Sequence, residues 1–227
     1  MVLIEMLFEI VRCFHATRGR VVLPALQIRF THHIVPLSTP ILMYDACHLL
    51  TTGNVTAVQD YLGHDFPVNS RDSKGNTGMI IASGRGQVAV IQLLLQHGAN
   101  PEDSTLIGIF EGKTALMWAS SQGRLDAVAL LVRVGVDPHR VSDKGVFAGK
   151  NALMWAASQG KTKVVSYLLS VGVDVEYTSS AGNFQGKTAL MWASSQGRED
   201  TVRVLLEAGC HVNAVDTVRT TAPALLY

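Results

Sequence analysis

Cysteine, charge and long apolar runs are all scarce in this chain, and each shortage closes off a class of protein. The cysteines are Cys13, Cys47 and Cys210, three in 227 residues. They are odd in number, far apart and in no CxxC or metal-ligand spacing, so they fit free thiols of a reducing compartment. His32-His33 is the one adjacent histidine pair, and it has no Cys, Asp or Glu at ligand spacing. No metal site is therefore expected. Charged residues make up 16% and the formal net charge is +1, which removes any whole-chain argument for nucleic acid or an anionic membrane. No apolar stretch approaches the roughly 20 uncharged residues that span a bilayer. The opening MVLIEMLFEIVRCF holds Glu5 and Glu9, unlike the uncharged core of a secretory signal. A soluble protein of the cytoplasm is expected, with the nucleus as the other compartment.

Catalytic patterns are equally thin. Gly84-Arg-Gly86 lacks the flanking strand and third glycine of a phosphate cradle. The Ser-Gln pairs have no Asp or His in register to form a nucleophile and base. Asp126, Asp137, Asp174 and Asp200 each sit at a repeated structural position, not as catalytic pairs. No enzyme activity and no cofactor are expected.

What the chain does have is repetition. Phe110-Glu-Gly-Lys-Thr-Ala-Leu-Met-Trp-Ala-Ser-Ser-Gln-Gly123 returns almost unchanged from Phe147 to Gly160 and from Phe184 to Gly197. The tryptophans fall at 118, 155 and 192, a period of 37, and Gly98, Gly135, Gly172 and Gly209 keep the same step. A weaker copy runs from Gly75 to Gly86. A fixed period of 20 to 50 residues marks a solenoid or array.

Each unit predicts two short helices and a loop. Thr114, Asn151 and Thr188 are placed to cap the first helix, their side-chain oxygens accepting from an otherwise unpaired amide. Gly123 and its counterparts end it. The second helix carries Val128, Leu130 and Leu131, then Val164, Val165, Leu168 and Leu169, then Val202, Val204, Leu205 and Leu206, at helical spacing. Helices this short are marginal alone, so stacked pairs must share one apolar core. Small residues at Ala119, Ala156 and Ala193 allow the helices to approach closely.

These residues resemble the ankyrin repeat. Gly112-Lys-Thr-Ala-Leu-Met-Trp-Ala-Ser120 stands where that family has Gly-x-Thr-Pro-Leu-His-x-Ala-Ala. Gly209-Cys-His-Val-Asn213, Gly98-Ala-Asn-Pro101, Gly135-Val-Asp-Pro138 and Gly172-Val-Asp-Val175 match the family's closing segment. The resemblance covers about residues 42–227. It implies an all-α solenoid of stacked helix-turn-helix repeats with long β-hairpin fingers. Three departures stand out. Ala115, Ala152 and Ala189 replace the family's proline. Met117, Met154 and Met191 replace the histidine that tethers neighbouring loops, so packing is expected to take over that tether. The middle units are four residues longer than the family's, because 114 − 98 = 16 while 221 − 209 = 12. The excess lies in the fingers, each of which carries a phenylalanine: Phe110, Phe147 or Phe184.

The implied organisation is a non-repeat segment, 1–41, followed by units at about 42–71, 72–108, 109–145, 146–182 and 183–215 and a partial unit at 216–227. In the first segment Leu3, Leu7, Ile10, Val11 and Phe14 form one helical stripe, and Pro24, Pro36 and Pro40 mark irregular chain after it. A helix covering the first repeat is expected there, in preference to a membrane-surface or targeting helix. The chain stops inside a first helix without a polar capping repeat, which suggests a piece of a longer protein.

The expected function is a protein-interaction scaffold or adaptor that binds a partner on the concave helix-and-finger face. The alternative is the regulatory or substrate-docking arm of an enzyme or channel encoded beyond residue 227. The candidate partner-binding residues are Lys113, Lys150 and Lys187 as one row, Gln122, Gln159 and Gln196 as a second, and Phe110, Phe147 and Phe184 as an aromatic row. In the family the lysine and glutamine positions line the concave face. A lysine row would select an acidic protein, unless it is a set of solvated charges with covering stems. The phenylalanines either pack finger on finger or stand as exposed anchors. The three tryptophans are expected in the core in preference to a base-stacking platform. Direct nucleic-acid binding is disfavoured by the near-neutral charge.

Overall fold

The computed structural model describes residues 53–62 and 67–212, with Tyr61 described by its backbone alone. All of these lie in the Ser38–Tyr227 unit of the two into which the chain divides. The expectations for residues 1–41, for His32-His33, for the start of the first unit and for the partial unit at 216–227 lie outside the described residues.

Nine α-helices are described: α1 (Val55–Leu62), α2 (Gly78–Arg85), α3 (Val88–Gln96), α4 (Ala115–Gln122), α5 (Leu125–Arg133), α6 (Ala152–Ser158), α7 (Thr162–Ser170), α8 (Ala189–Ser195) and α9 (Glu199–Glu207). The first helices α2, α4, α6 and α8 pack side by side in one layer. The second helices α3, α5, α7 and α9 form the other, each against its own first helix. No helix among the described residues is long and apolar enough to cross a membrane.

The caps are where the sequence places them. Thr114 Oγ1 accepts from Met117 N at 3.4 Å, Asn151 Oδ1 from Met154 N at 2.9 Å and Thr188 Oγ1 from Met191 N at 3.2 Å. Thr77 does the same for Ile80. Gly123, at φ 72°, closes α4 in a left-handed conformation that L side chains rarely adopt. The first helices are nearly all interior: every residue of α6 is buried. Ala119, Ala156 and Ala193 lie fully buried at the centre of the layer, where a larger side chain would push neighbours apart. Each second helix buries one stripe, such as Val128 and Leu131 on α5 or Val164, Val165 and Leu168 on α7. The result is a continuous core shared by successive units.

The fingers between units are hairpin-like rather than sheet. The first three are each closed by a single antiparallel bridge: Arg71 with Thr77, Ser104 with Thr114, and Val141 with Asn151. The fourth finger carries a short 3-10 turn at Gly182–Phe184.

Met117, Met154 and Met191 are buried, so packing does occupy the histidine position. Polar tethers exist as well, at a place the sequence did not reveal. Glu102 Oε1 accepts from Asp137 N at 3.1 Å, and Glu102 Oε2 pairs with Arg140 at 2.7 Å. Glu176 likewise accepts from His211 N. Each carboxylate holds the loop one repeat further on.

Candidate functional site

The near-identical segments bring Lys, Trp and Phe together into one column. The sequence-expected lysine row is therefore largely interior. Lys113 and Lys150 are each only 2% exposed. Their stems run inward from the residue before the helix cap, and their nitrogens end between tryptophans of successive repeats. Lys113 Nζ is 3.9 Å from the Trp118 ring centre and 3.8 Å from that of Trp155. Lys150 Nζ is 4.1 Å from Trp155 and 3.6 Å from Trp192. Neither nitrogen is in an ion pair with a carboxylate among the described residues. This corrects the expectation of a solvent-facing basic row: charge placed there can neither steer nor touch an acidic partner. Lys187 ends the column half-buried, 5.2 Å from Trp192.

The third contact of each buried lysine is a serine. Lys113 Nζ lies 2.8 Å from Ser121 Oγ, and Lys150 Nζ lies 3.0 Å from Ser158 Oγ. A Lys–Ser pair invites comparison with a nucleophile and its base, but the proton count excludes that role in this arrangement. Ser121 Oγ donates to Trp118 O at 2.9 Å, and Ser158 Oγ donates to Trp155 O at 3.0 Å. A hydroxyl has one proton, so each lysine donates to its serine. The remaining ammonium protons face the two indole rings, whose negative π faces attract a cation.

Burial opposes that charge. It lowers the pKa of Lys113 from 10.5 to about 7. It lowers that of Lys150 to about 6, with repulsion from Lys113 and Lys187 adding to it. The indole faces pull the other way.

Phenylalanines form the outer wall. Phe110, Phe147 and Phe184 stack ring on ring along the fingers, with centres 6.0 and 5.4 Å apart and planes within 12° and 10° of parallel. Each also meets the tryptophan of its own repeat edge to face, at 5.2, 5.1 and 4.9 Å, in the geometry aromatic quadrupoles favour. All three are half-buried, so the finger-on-finger reading describes their packing and leaves an edge in solvent. Trp155 and Trp192 are buried and Trp118 half-buried, which is the core placement expected of them. Trp118 Nε1 donates to Thr105 Oγ1 at 3.0 Å, while Trp155 Nε1 and Trp192 Nε1 have no hydrogen-bond acceptor among the described residues.

The extra finger residues now have a physical purpose: they carry Phe back over Trp and close the lysine in. The finger leading into α2 lacks the extension, and unit 72–108 lacks the other members too. It has Asn76 where the later units have Lys, Ile81 where they have Trp, and Gly84 where two have the lysine-bound Ser. Lys, Trp and finger Phe thus come and go together, and that joint absence was a legible signal of a shared interior column.

Gln122, Gln159 and Gln196 are all exposed, one at the end of each first helix or just past it. Ser195 is exposed, unlike Ser121 and Ser158. Cys210 is a free, half-buried thiol whose pKa is raised to about 11 by burial and by Glu176. Among the described residues no three His, Cys, Asp or Glu side chains gather as a metal site.

A family model described as ankyrin repeats (3 copies) matches the chain over residues 42–142 and again over 129–216. No curated protein matches the chain.

Proposed function

Because the chain belongs to the ankyrin repeat family, whose repeats generally mediate protein–protein interaction, we propose that it is a non-catalytic scaffold holding a protein partner across its first helices and fingers. The observation that carries this reading is the exposed row of Gln122, Gln159 and Gln196 on a rigid layer of buried helices. Each amide offers a donor and an acceptor, and a preformed, buried layer beneath limits the ordering cost of binding. The half-buried Phe110, Phe147 and Phe184 add apolar contacts from the fingers. Lys113 and Lys150 support the surface from beneath. With them inside, nothing in the row selects for an acidic partner over a neutral one.

The test is affinity capture with the full chain and with a Gln122→Arg, Gln159→Arg, Gln196→Arg variant, read by mass spectrometry. Proteins retained by the native chain should be lost from the variant while its circular dichroism stays the same. Equal retention by both would remove the glutamine face from the proposal.

A further inference from the structure

The long fingers seat on one another by a repeated contact, and one copy of that contact is empty among the described residues. Gly145 and Gly182 stand at the same finger position, one period apart. A Cβ on Gly145 would lie 3.1 Å from Glu111 O, in the preceding finger, and one on Gly182 would lie 2.9 Å from Ala148 O. Asn183 N also donates to Val146 O across that second junction. Glycine, with no Cβ, thus leaves room at these positions for a neighbour's backbone.

Gly108 is the equivalent glycine of the second finger, and a Cβ there would meet nothing within 4 Å. The reason is the short first finger. Gly75 reaches the base of its neighbour, 2.8 Å from Leu106 N on the same measure, but that finger has no four-residue extension to reach further. The uncovered edge is apolar. Leu106, Ile107 and Ile109 are 46%, 60% and 62% exposed, where the later fingers have Asp143, Lys144 and Val146, then Ser180, Ala181 and Asn183. Phe147 has a ring stacked on each side, whereas among the described residues Phe110 has a phenylalanine on one side alone.

We propose that the free edge of the second finger, centred on Gly108 with Leu106, Ile107 and Ile109, docks a short turn of another protein that carries a phenylalanine between small residues. The molecule supplies the template for its own occupant. At the later junctions the piece that fills this place is a turn such as Gly145-Val-Phe-Ala-Gly149, which offers carbonyls to the glycine and a ring to the phenylalanine column. Three aliphatic side chains make a patch of at most a few hundred Å². A stable dimer needs about 800 Å² per partner, so a short peptide segment fits the edge better than a second copy. The edge adjoins Phe110, one of the apolar contacts of the proposed partner face, but holds none of its glutamines, so the two are tested separately.

The probe is the capped peptide Gly-Val-Phe-Ala-Gly, titrated into the 15N-labelled full chain. Saturable shifts should centre on Gly108 and Ile109, at millimolar concentration for so few atoms. They should vanish with Phe→Ala in the peptide and with Ile109→Asp in the chain, and persist in the triple glutamine variant. An equal response to the alanine peptide overturns the proposal. Slow maleimide labelling of Ile109→Cys in the full chain also overturns it, because the chain's own residues would then cover the edge. Self-association abolished by Ile109→Asp overturns it in favour of a second copy.

Discussion

The Lys113 nitrogen lies 3.8 Å from the centre of the Trp155 ring, which belongs to the next repeat. The same nitrogen touches its own repeat's Trp118, so each buried lysine links two units as well as filling a space. A charge in that position has solvent replaced by two π faces and one hydroxyl. Its contribution to stability depends on whether those three contacts compensate the lost water.

Substitution at Lys150 separates charge from stem. Lys150→Met keeps an unbranched stem between Trp155 and Trp192 and removes the ammonium. Replacing a buried charge by an apolar side chain of similar volume is often neutral or stabilising. The urea midpoint of Lys150→Met at pH 6.5 should therefore equal or exceed that of the native chain. Lys150→Glu puts a carboxylate against two negative ring faces and should cost about 3–5 kcal/mol. A surface row would have tolerated that change, so a native-like midpoint for Lys150→Glu would contradict the interior placement.

Stability should also depend on pH, and the sign follows from the lysines. Their unfolded pKa is the ordinary 10.5, while in the folded chain Lys113 sits at about 7 and Lys150 at about 6. Between those limits the unfolded chain holds more protons than the folded one. Raising the pH then favours the folded state. The slope is at most about 1.4 kcal/mol per pH unit for each lysine. The free energy of unfolding should climb from pH 7 to pH 9.5 and stop responding to these groups below about pH 5. Urea melts across that range measure it, and Lys150→Met should flatten the slope. A flat native profile would mean that the indole faces hold the ammonium fully and cancel the effect of burial.

The tryptophans should differ in cost. Trp155 is buried and touches Lys113, Lys150, Phe110 and Phe147, so Trp155→Ala should lose about 3–5 kcal/mol. Trp118 is half-buried and ends the column, and Trp118→Ala should lose less. Unfolding monitored by far-ultraviolet circular dichroism ranks them. A reversed order would show that the column is not the continuous element it is taken to be.

The helical architecture was legible because its signals are local. The 37-residue step shows when the units are laid over one another, and a capping Thr or Asn and a closing glycine show within each unit. The position of Lys113 was not. A lysine just before a helix cap has the pattern of a solvated residue, and its burial is created by Trp155, 42 residues away, since 155 − 113 = 42. Only the coordinated change to Asn76 and Ile81 in unit 72–108 pointed inward. The Glu102 brace was hidden for the same reason, because its acceptor and the Asp137 amide lie in different repeats.

That brace supports a prediction of gained stability. Glu102 and Glu176 stand two periods apart, and each accepts from an amide in the following loop, at Asp137 and at His211. The position between them is His139, which is exposed, and no bond from it to the Asp174 amide accompanies the other two among the described residues. Removing one brace, as in Glu102→Ala, should cost about 1 kcal/mol, because the pair is partly solvated and a net hydrogen bond contributes little more. Glu102→Gln keeps an acceptor for the amide and should cost less. Conversely, His139→Glu supplies the missing acceptor and should stabilise the chain by about 0.5–1 kcal/mol, provided Asp174 Oδ1 keeps its own bond to Glu176 N. Paired urea melts of Glu102→Ala and His139→Glu test the two directions with one assay. If His139→Glu destabilises while Glu102→Ala behaves as expected, the loop at 174 is already held in another way, and repeat symmetry does not extend to its amides.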